Sequence, residues 1–483
     1  MNFSSPLFLF LFLPVVLTVY HCLPGIKARN AWLLAVSLLF YAWGEVGFIM
    51  LLAASTLLNH ALGRWLERTE PQPRRKRIAA LAIIANLALL AFFKYTNFLV
   101  SLLNSALHSI GLQPLPQTHI PLPIGISFFT FHALSYIVDV YRRKWKAASD
   151  PKQVALYIFF FPQLVAGPIL RWNAIAPQLL QRQLSLEGIA EGIRRFIGGL
   201  AKKMLIANTL AVPADQIFAL ASTQRSTPVA WIGIVCYTLQ IYFDFSGYSD
   251  MAVGLGKMFG FTFIENFQFP YIAQSIRDFW RRWHISLSTW FRDYLYVPLG
   301  GNRVSPARTH FNLLLVFFLC GLWHGASLTF VAWGLYHGAF LVLERTRFGS
   351  LQEKLPQSLR HLYTLLVVMG GWVLFRADTF AAAGQYFLAL LGVSHAIAPQ
   401  SFIHYTTNQV LVALLFGLLF SGPSWGKIQH LSRRMESAAS PRLRPAVQAA
   451  GLALEMALLL TLLGLSASWL ASGTYNPFIY YRF

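Results

Sequence analysis

Apolar stretches long enough to cross a membrane recur along almost the whole chain, and that repetition constrains its fold more than any single motif. About 20 helical residues span the roughly 30 Å of hydrocarbon in a bilayer. Candidate stretches lie near residues 6–23, 31–43, 46–62, 78–103, 122–141, 153–171, 195–213, 229–256, 312–343, 362–376, 408–422 and 449–471. A globular core can bury one or two of them, but not all. Only 12% of the 483 residues are charged and 56% are hydrophobic, whereas soluble domains carry about 25% charged residues. The chain therefore reads as an all-α, polytopic integral membrane protein with about eleven to thirteen transmembrane or re-entrant helices. Polar joints at residues 67–77, 181–192 and 429–444 read as loops, and one membrane domain fills residues 1–483. The first stretch has no basic residues ahead of it, and His21-Cys22-Leu23-Pro24-Gly25 follows in place of a small-residue cleavage site. It is expected to remain as the first membrane helix. In a bacterium the protein would be a multi-pass resident of the inner membrane.

The net charge of +21 raises the question of a nucleic-acid partner. Its distribution answers against one. Lysine and arginine sit in short clusters between apolar runs: Arg74-Arg75-Lys76-Arg77, Arg142-Arg143-Lys144, Arg194-Arg195, Lys202-Lys203 and Arg433-Arg434. That is the pattern of basic cytoplasmic loops, helped by anionic lipid headgroups, so the expected partner surface is membrane lipid. The cysteines, Cys22, Cys236 and Cys320, are odd in number and widely spaced. This excludes a disulfide framework or a zinc site, and no bound metal is expected.

Between residues 270 and 301 the texture changes, as tryptophan, arginine and aspartate crowd together without a clean apolar run. On an ideal helix at ~100° per residue, Trp280, Trp283, Leu287, Trp290, Phe291 and Tyr294 share one arc. Arg277, Asp278, Arg281, Arg282, Arg292 and Asp293 fall on the other side. The spacing predicts a helix lying along the membrane interface, with His284 at the edge between its two faces, looking inward but near water.

Familiar catalytic signatures are missing: no HExxH, no GxSxG and no P-loop occurs. Gly256 and Gly260 form a GxxxG pair that reads as close helix packing. What remains is ionisable residues inside apolar segments, which are costly there and point to function. His324 sits in Cys320-Gly321-Leu322-Trp323-His324-Gly325-Ala326-Ser327. Small neighbours let a substrate approach its ring, and a neutral imidazole can take a proton from an attacking hydroxyl. A core histidine bonded to a neighbouring carbonyl is the other reading, and local chemistry leaves both open. His337 lies about 220° further round on a continuous helix, facing away from His324 and reading as structural. Asp244 and Tyr248, spaced i, i+4 on one helix face, either hold a substrate hydroxyl or lock helices together through a buried network. His21, His60, His108 and His395 need no special role.

Residues 281–303, which open Arg281-Arg282-Trp283-His284 and contain Arg292-Asp293-Tyr294, resemble the signature of the alginate O-acetyltransferase branch of the membrane-bound O-acyltransferase family. Gly321-Leu322-Trp323-His324-Gly325-Ala326 is similar to the segment holding that family's invariant histidine. Leu122-Pro123-Ile124-Gly125, Ala166-Gly167-Pro168 and Tyr242-Phe243-Asp244-Phe245-Ser246-Gly247-Tyr248 also match. The tail from Asn476 to Phe483 is similar too, with Tyr481-Arg482 where the family suggests Phe-Gln. The match runs in order along the whole chain, with its signature region at about residues 240–345.

The resemblance implies a multi-helix fold with interfacial helices around a central funnel, where donor and acceptor meet from opposite sides. It implies catalytic roles for His324 and His284, while the residues that would hold coenzyme A stay unassigned. Trp323, Asp244, Tyr248 and Asp293 are the candidate substrate contacts beside them, although Arg281, Arg282 and Asp293 read first as anchors of the interfacial helix. His324 would act as general base, and His284 would orient the donor or polarise its thioester carbonyl. No permanently bound cofactor is implied. Acetyl-coenzyme A is the expected cytoplasmic donor, and a periplasmic acetyltransferase partner is expected to complete esterification of an exported polysaccharide, most directly alginate. Cellulose, peptidoglycan and other glycans are the alternatives within the family. A secondary transporter or lipid flippase is the alternative outside it, and predicts matched halves with interrupted helices that the sequence does not display.

Overall fold

The computed structural model describes residues 2–393, 396–473 and 475–477. His395 and most of the aromatic tail, residues 478–483, lie outside the described residues. Among those described, the elements are helices with no strand. Five are long and apolar enough to cross a membrane: Val46–Arg68, Gln72–Ser109, Thr227–Met258, Gln357–Arg376 and Arg444–Ala471. Shorter apolar helices, among them Phe8–Cys22, Ile126–Tyr141, Leu328–Leu343 and Asn408–Phe420, fall at other expected spans.

The chain divides into two compact units. The first comprises Met1–Ile193, Ala252–Ile264 and Arg292–Leu295, the second Arg194–Met251, Glu265–Phe291 and Tyr296–Phe483. In the first, reciprocal amide bonds between Asn59 and Asn86, 2.8 and 3.0 Å long, join Val46–Arg68 to Gln72–Ser109. Two buried amides that satisfy each other are a strong tie where water is scarce. Arg75 is buried and donates to the carbonyls of Leu66, Thr69, Val140 and Tyr141. One guanidinium thus satisfies carbonyls that helix ends leave without partners.

Several expectations are corrected. The stretch 153–171 is two short helices, Pro151–Phe159 and Phe161–Leu164, because Pro162 has no N–H to continue the first. The expected loops at 67–77, 181–192 and 429–444 are partly helical: the first is a short joint between Ile49–Arg68 and Gln72–Ser109, and the others run into Leu186–Ala201 and Ser424–Ala438. These last two helices carry a polar face, so no apolar run marked them. Gly260 is not a packing glycine inside a helix. Thr227–Met258 has ended before it, and Gly260 stands at φ +80° while Phe261 N donates to Gly256 O and Gly260 N to Lys257 O. This is a Schellman stop, for which glycine is suited because it has no Cβ.

The second unit holds most of Thr227–Met258 and a helical hairpin, Pro306–His324 and Leu328–Leu343, in place of one span over 312–343. The hairpin closes tightly: a Cβ on Gly334 would lie 2.1 Å from the Phe317 carbonyl oxygen. The amphipathic segment is also broken. Helices Ile276–Arg282 and Ile285–Phe291 meet at a kink, followed by a π-helical turn from Arg292 to Tyr296. Its aromatic arc is buried in protein, with Trp280, Trp283, Leu287, Trp290 and Phe291 all inside. His284 is fully buried at the kink, not at a wet edge.

Candidate active site

His324 is the last residue of its hairpin helix, where the chain turns into extended backbone at Gly325. Its ring stands edge-on to three aromatic rings, Trp323, Trp333 and Phe375, at centroid distances of 4.8, 4.9 and 5.3 Å. The side chain is almost fully buried.

His284 arrives from a different element. It adopts φ +45° between two short helices, a conformation that costs a side-chain-bearing residue about 1–3 kcal/mol and persists only when its surroundings fix it. Asn266 does the fixing. Its carbonyl accepts from Ile285 N at 2.9 Å, and its Oδ1 accepts from Ser286 N at 3.2 Å and Ser286 Oγ at 2.9 Å. The same Oδ1 lies 3.0 Å from His284 Nδ1. Upstream, both carboxylate oxygens of Glu344 accept from the first amides of Ile276–Arg282, at 2.6 and 3.0 Å, and Ser275 Oγ accepts from Asp278 N. The helix that leads to the kink is thereby held at its start. His284 lies outside the membrane-spanning helices, and burial pushes its imidazole down to about 3, so it is neutral at physiological pH.

Tertiary folding brings the two histidines to one place. Both rings lie beside the indole of Trp323, 6.3 Å from His284 and 4.8 Å from His324, and Phe245 stands edge-on to His284 at 4.7 Å. His337 does not face away along one continuous helix, because the hairpin turns between the two residues. It sits 5.3 Å from Trp333, the ring that also touches His324, and stacks on Phe279. Asp244 is 2.6 Å from Lys203 in a buried ion pair, which ties its helix to the π-helical turn Lys202–Ala207. Tyr248 is buried one turn further along. Asp293 belongs to the first unit, 2.7 Å from both Arg171 and Arg292. Burial raises its pKa, but the Arg292 hydrogen bond and the Arg171 charge hold the carboxyl below its usual range. Next to it, Tyr294 donates to Asp139 at 2.8 Å with the guanidinium of Arg142 over its ring. Asn266, Trp333 and Phe375 were missed by sequence reasoning: a lone asparagine in a loop and two aromatics in apolar helices carry no signal of their own.

These features define a multi-pass helical membrane protein with a pair of buried histidines gathered around a tryptophan. The chain belongs to the membrane-bound O-acyltransferase family, MBOAT, which it matches over residues 65–375, and it is an O-acyltransferase. It is 43% identical to the probable alginate O-acetylase AlgI of Pseudomonas putida, with all of each chain covered. It is 47% identical to the protein of the same name from Pseudomonas aeruginosa, over 81% of this chain and 75% of the relative. To the peptidoglycan O-acetyltransferase of Helicobacter pylori it is 37% identical, over 81% and 80%.

Proposed function

We propose that this enzyme takes acetyl groups from acetyl-coenzyme A on the cytoplasmic face of the bacterial inner membrane and passes them outward for O-acetylation of alginate, with a periplasmic partner completing the ester. The 43% identity over its full length to a probable alginate O-acetylase carries the reading. The 37% identity to a peptidoglycan O-acetyltransferase supports peptidoglycan as the second acceptor to test.

The histidine pair suits the chemistry. A hydroxyl oxygen, on the sugar or on the partner, bonds to the thioester carbonyl carbon, and the C–S bond breaks. The hydroxyl proton goes to His324 and from there to the departing thiolate. Aromatic neighbours enclose the His324 ring while the small residues beside it leave room for a hydroxyl to reach it, as a general base requires. His284, beside Trp323, has two roles open to it: donating a hydrogen bond to the thioester carbonyl, or accepting one from a reactant. Trp323 would form the wall against which acetyl sits.

The test is acetyl transfer from radiolabelled acetyl-coenzyme A in membranes supplied with alginate or peptidoglycan fragments. His324→Ala is expected to lose roughly 10²–10⁴-fold, the contribution of one positioned acid–base group, while the amount of protein in the membrane stays the same. Equal transfer by wild type and His324→Ala would sink the mechanism. Label on peptidoglycan alone would replace the acceptor.

A further inference from the structure

We infer that Asn266 is a positioning residue that fixes His284 as a hydrogen-bond acceptor at Nε2, an inference that rests on His284 acting in acetyl transfer. A backbone amide N–H can only donate. Ser286 N points at Asn266 Oδ1 from 3.2 Å, and Ser286 Oγ lies 2.9 Å from the same atom. The atom facing Ser286 is therefore the amide oxygen and not the amide nitrogen. An amide oxygen has no proton to give, so the 3.0 Å contact with His284 requires the proton on His284 Nδ1.

A neutral imidazole carries one N–H. With that proton on Nδ1, the lone pair is on Nε2, which is buried and has no hydrogen-bond partner among the described residues. A neutral ring in this tautomer can accept from an O–H or an amide N–H of a reactant. It cannot donate to the thioester carbonyl. Of the two roles open to His284, the structure thus selects the accepting one: with the attacking hydroxyl's only hydrogen going to His324, it accepts a hydrogen bond from an amide N–H in the donor's arm or from a second, non-reacting hydroxyl of the acceptor. Asn266 touches no reacting atom in this account. It acts through His284, by holding the ring's tautomer and the left-handed backbone beneath it.

The test compares pH–rate profiles of acetyl transfer from acetyl-coenzyme A in membranes, for wild type, Asn266→Asp, Asn266→Ala and His284→Ala. Asn266→Asp keeps the accepting oxygen for Ser286 and His284, and should accumulate normally. Its added negative charge favours the imidazolium, so transfer by Asn266→Asp should fall away on the acid side at pH values where wild type, with His284 held down to about 3, still works. Asn266→Ala removes the acceptor, frees the tautomer and should lower transfer by roughly 10²-fold or more at every pH. A merely structural asparagine would alter the amount of protein in the membrane but leave the Asp profile superimposable on wild type. If His284→Ala is inactive and the Asp profile overlays wild type, or the Asp protein fails to accumulate, the inference falls and the role of His284 stands. If His284→Ala transfers as well as wild type, the role of His284 falls and the inference with it.

Discussion

Two acidic side chains of the signature stretches, Asp244 and Asp293, were candidates for substrate contact, and each is already engaged by a cation. Lys203 takes Asp244, and Arg171 with Arg292 takes Asp293. A carboxylate held in this way is spent on fixing backbone, since releasing it to a substrate would leave a guanidinium or an ammonium without its partner. Asp293→Asn is therefore expected to leave the KM for acetyl-coenzyme A within about twofold while lowering the thermal midpoint in detergent by a few degrees, the scale of losing about 1 kcal/mol. A large rise in KM with an unchanged midpoint would return Asp293 to the substrate site. At this scale, His324 was legible in the sequence because an ionisable residue in an apolar span stands out on its own. Asn266 was not, because its meaning comes from a contact with His284, 18 residues away across a loop.

The elements show why a correct set of buried residues can accompany a wrong element. The aromatic arc from Trp280 to Phe291 shares one apolar side as its periodicity suggests, yet it is buried in protein and not laid on the membrane interface, and the helix is broken within it at His284. Periodicity reports which side chains want burial, and two short helices satisfy it as well as one long helix does. The hairpin was partly readable. A single helix over 312–343 would be about 48 Å long, well beyond the bilayer core, and Gly325-Ala326-Ser327 offers a place to turn, with Ser327 Oγ accepting from Thr329 N. What the sequence did not reveal is how close the two arms come. Gly334 faces a backbone carbonyl that cannot swing away, so Gly334→Ala should part the hairpin, shift Trp333 against His324, and cost about 1–3 kcal/mol as overpacking does. Activity and thermal midpoint should fall together. Gly384→Ala, where an added Cβ meets nothing within 4 Å, is expected to be neutral or slightly stabilising. Equal losses at both glycines would remove the case for a tight hairpin.

For the whole molecule, the basic clusters read from composition acquire a geometry. Residues 74–77 begin the long helix Gln72–Ser109, and residues 142–146 follow Ile126–Tyr141. Within the first unit Arg75 bonds the carbonyls of Val140 and Tyr141, and Arg143 pairs with Glu70 at 3.1 Å. The start of one helix and the end of the other therefore meet, and five basic residues, Arg64, Arg75, Arg143, Lys144 and Lys146, line one cleft of about 830 Å³ there. By the positive-inside bias, this end faces the cytoplasm. The opposite end of Gln72–Ser109 lies about 57 Å away along a continuous helix, which is more than a bilayer core, so the segment after it emerges on the other side. The orientation of this unit follows without reference to catalysis. In a background with Cys22, Cys236 and Cys320 replaced by alanine, Gln113→Cys should react with a membrane-impermeant maleimide in intact cells. Lys144→Cys should react only after the membrane is opened. Both side chains are exposed, so reactivity reports sidedness and not burial. Labelling of both from the same side would mean that the long helix does not cross, and the reverse pattern would overturn the orientation of this unit.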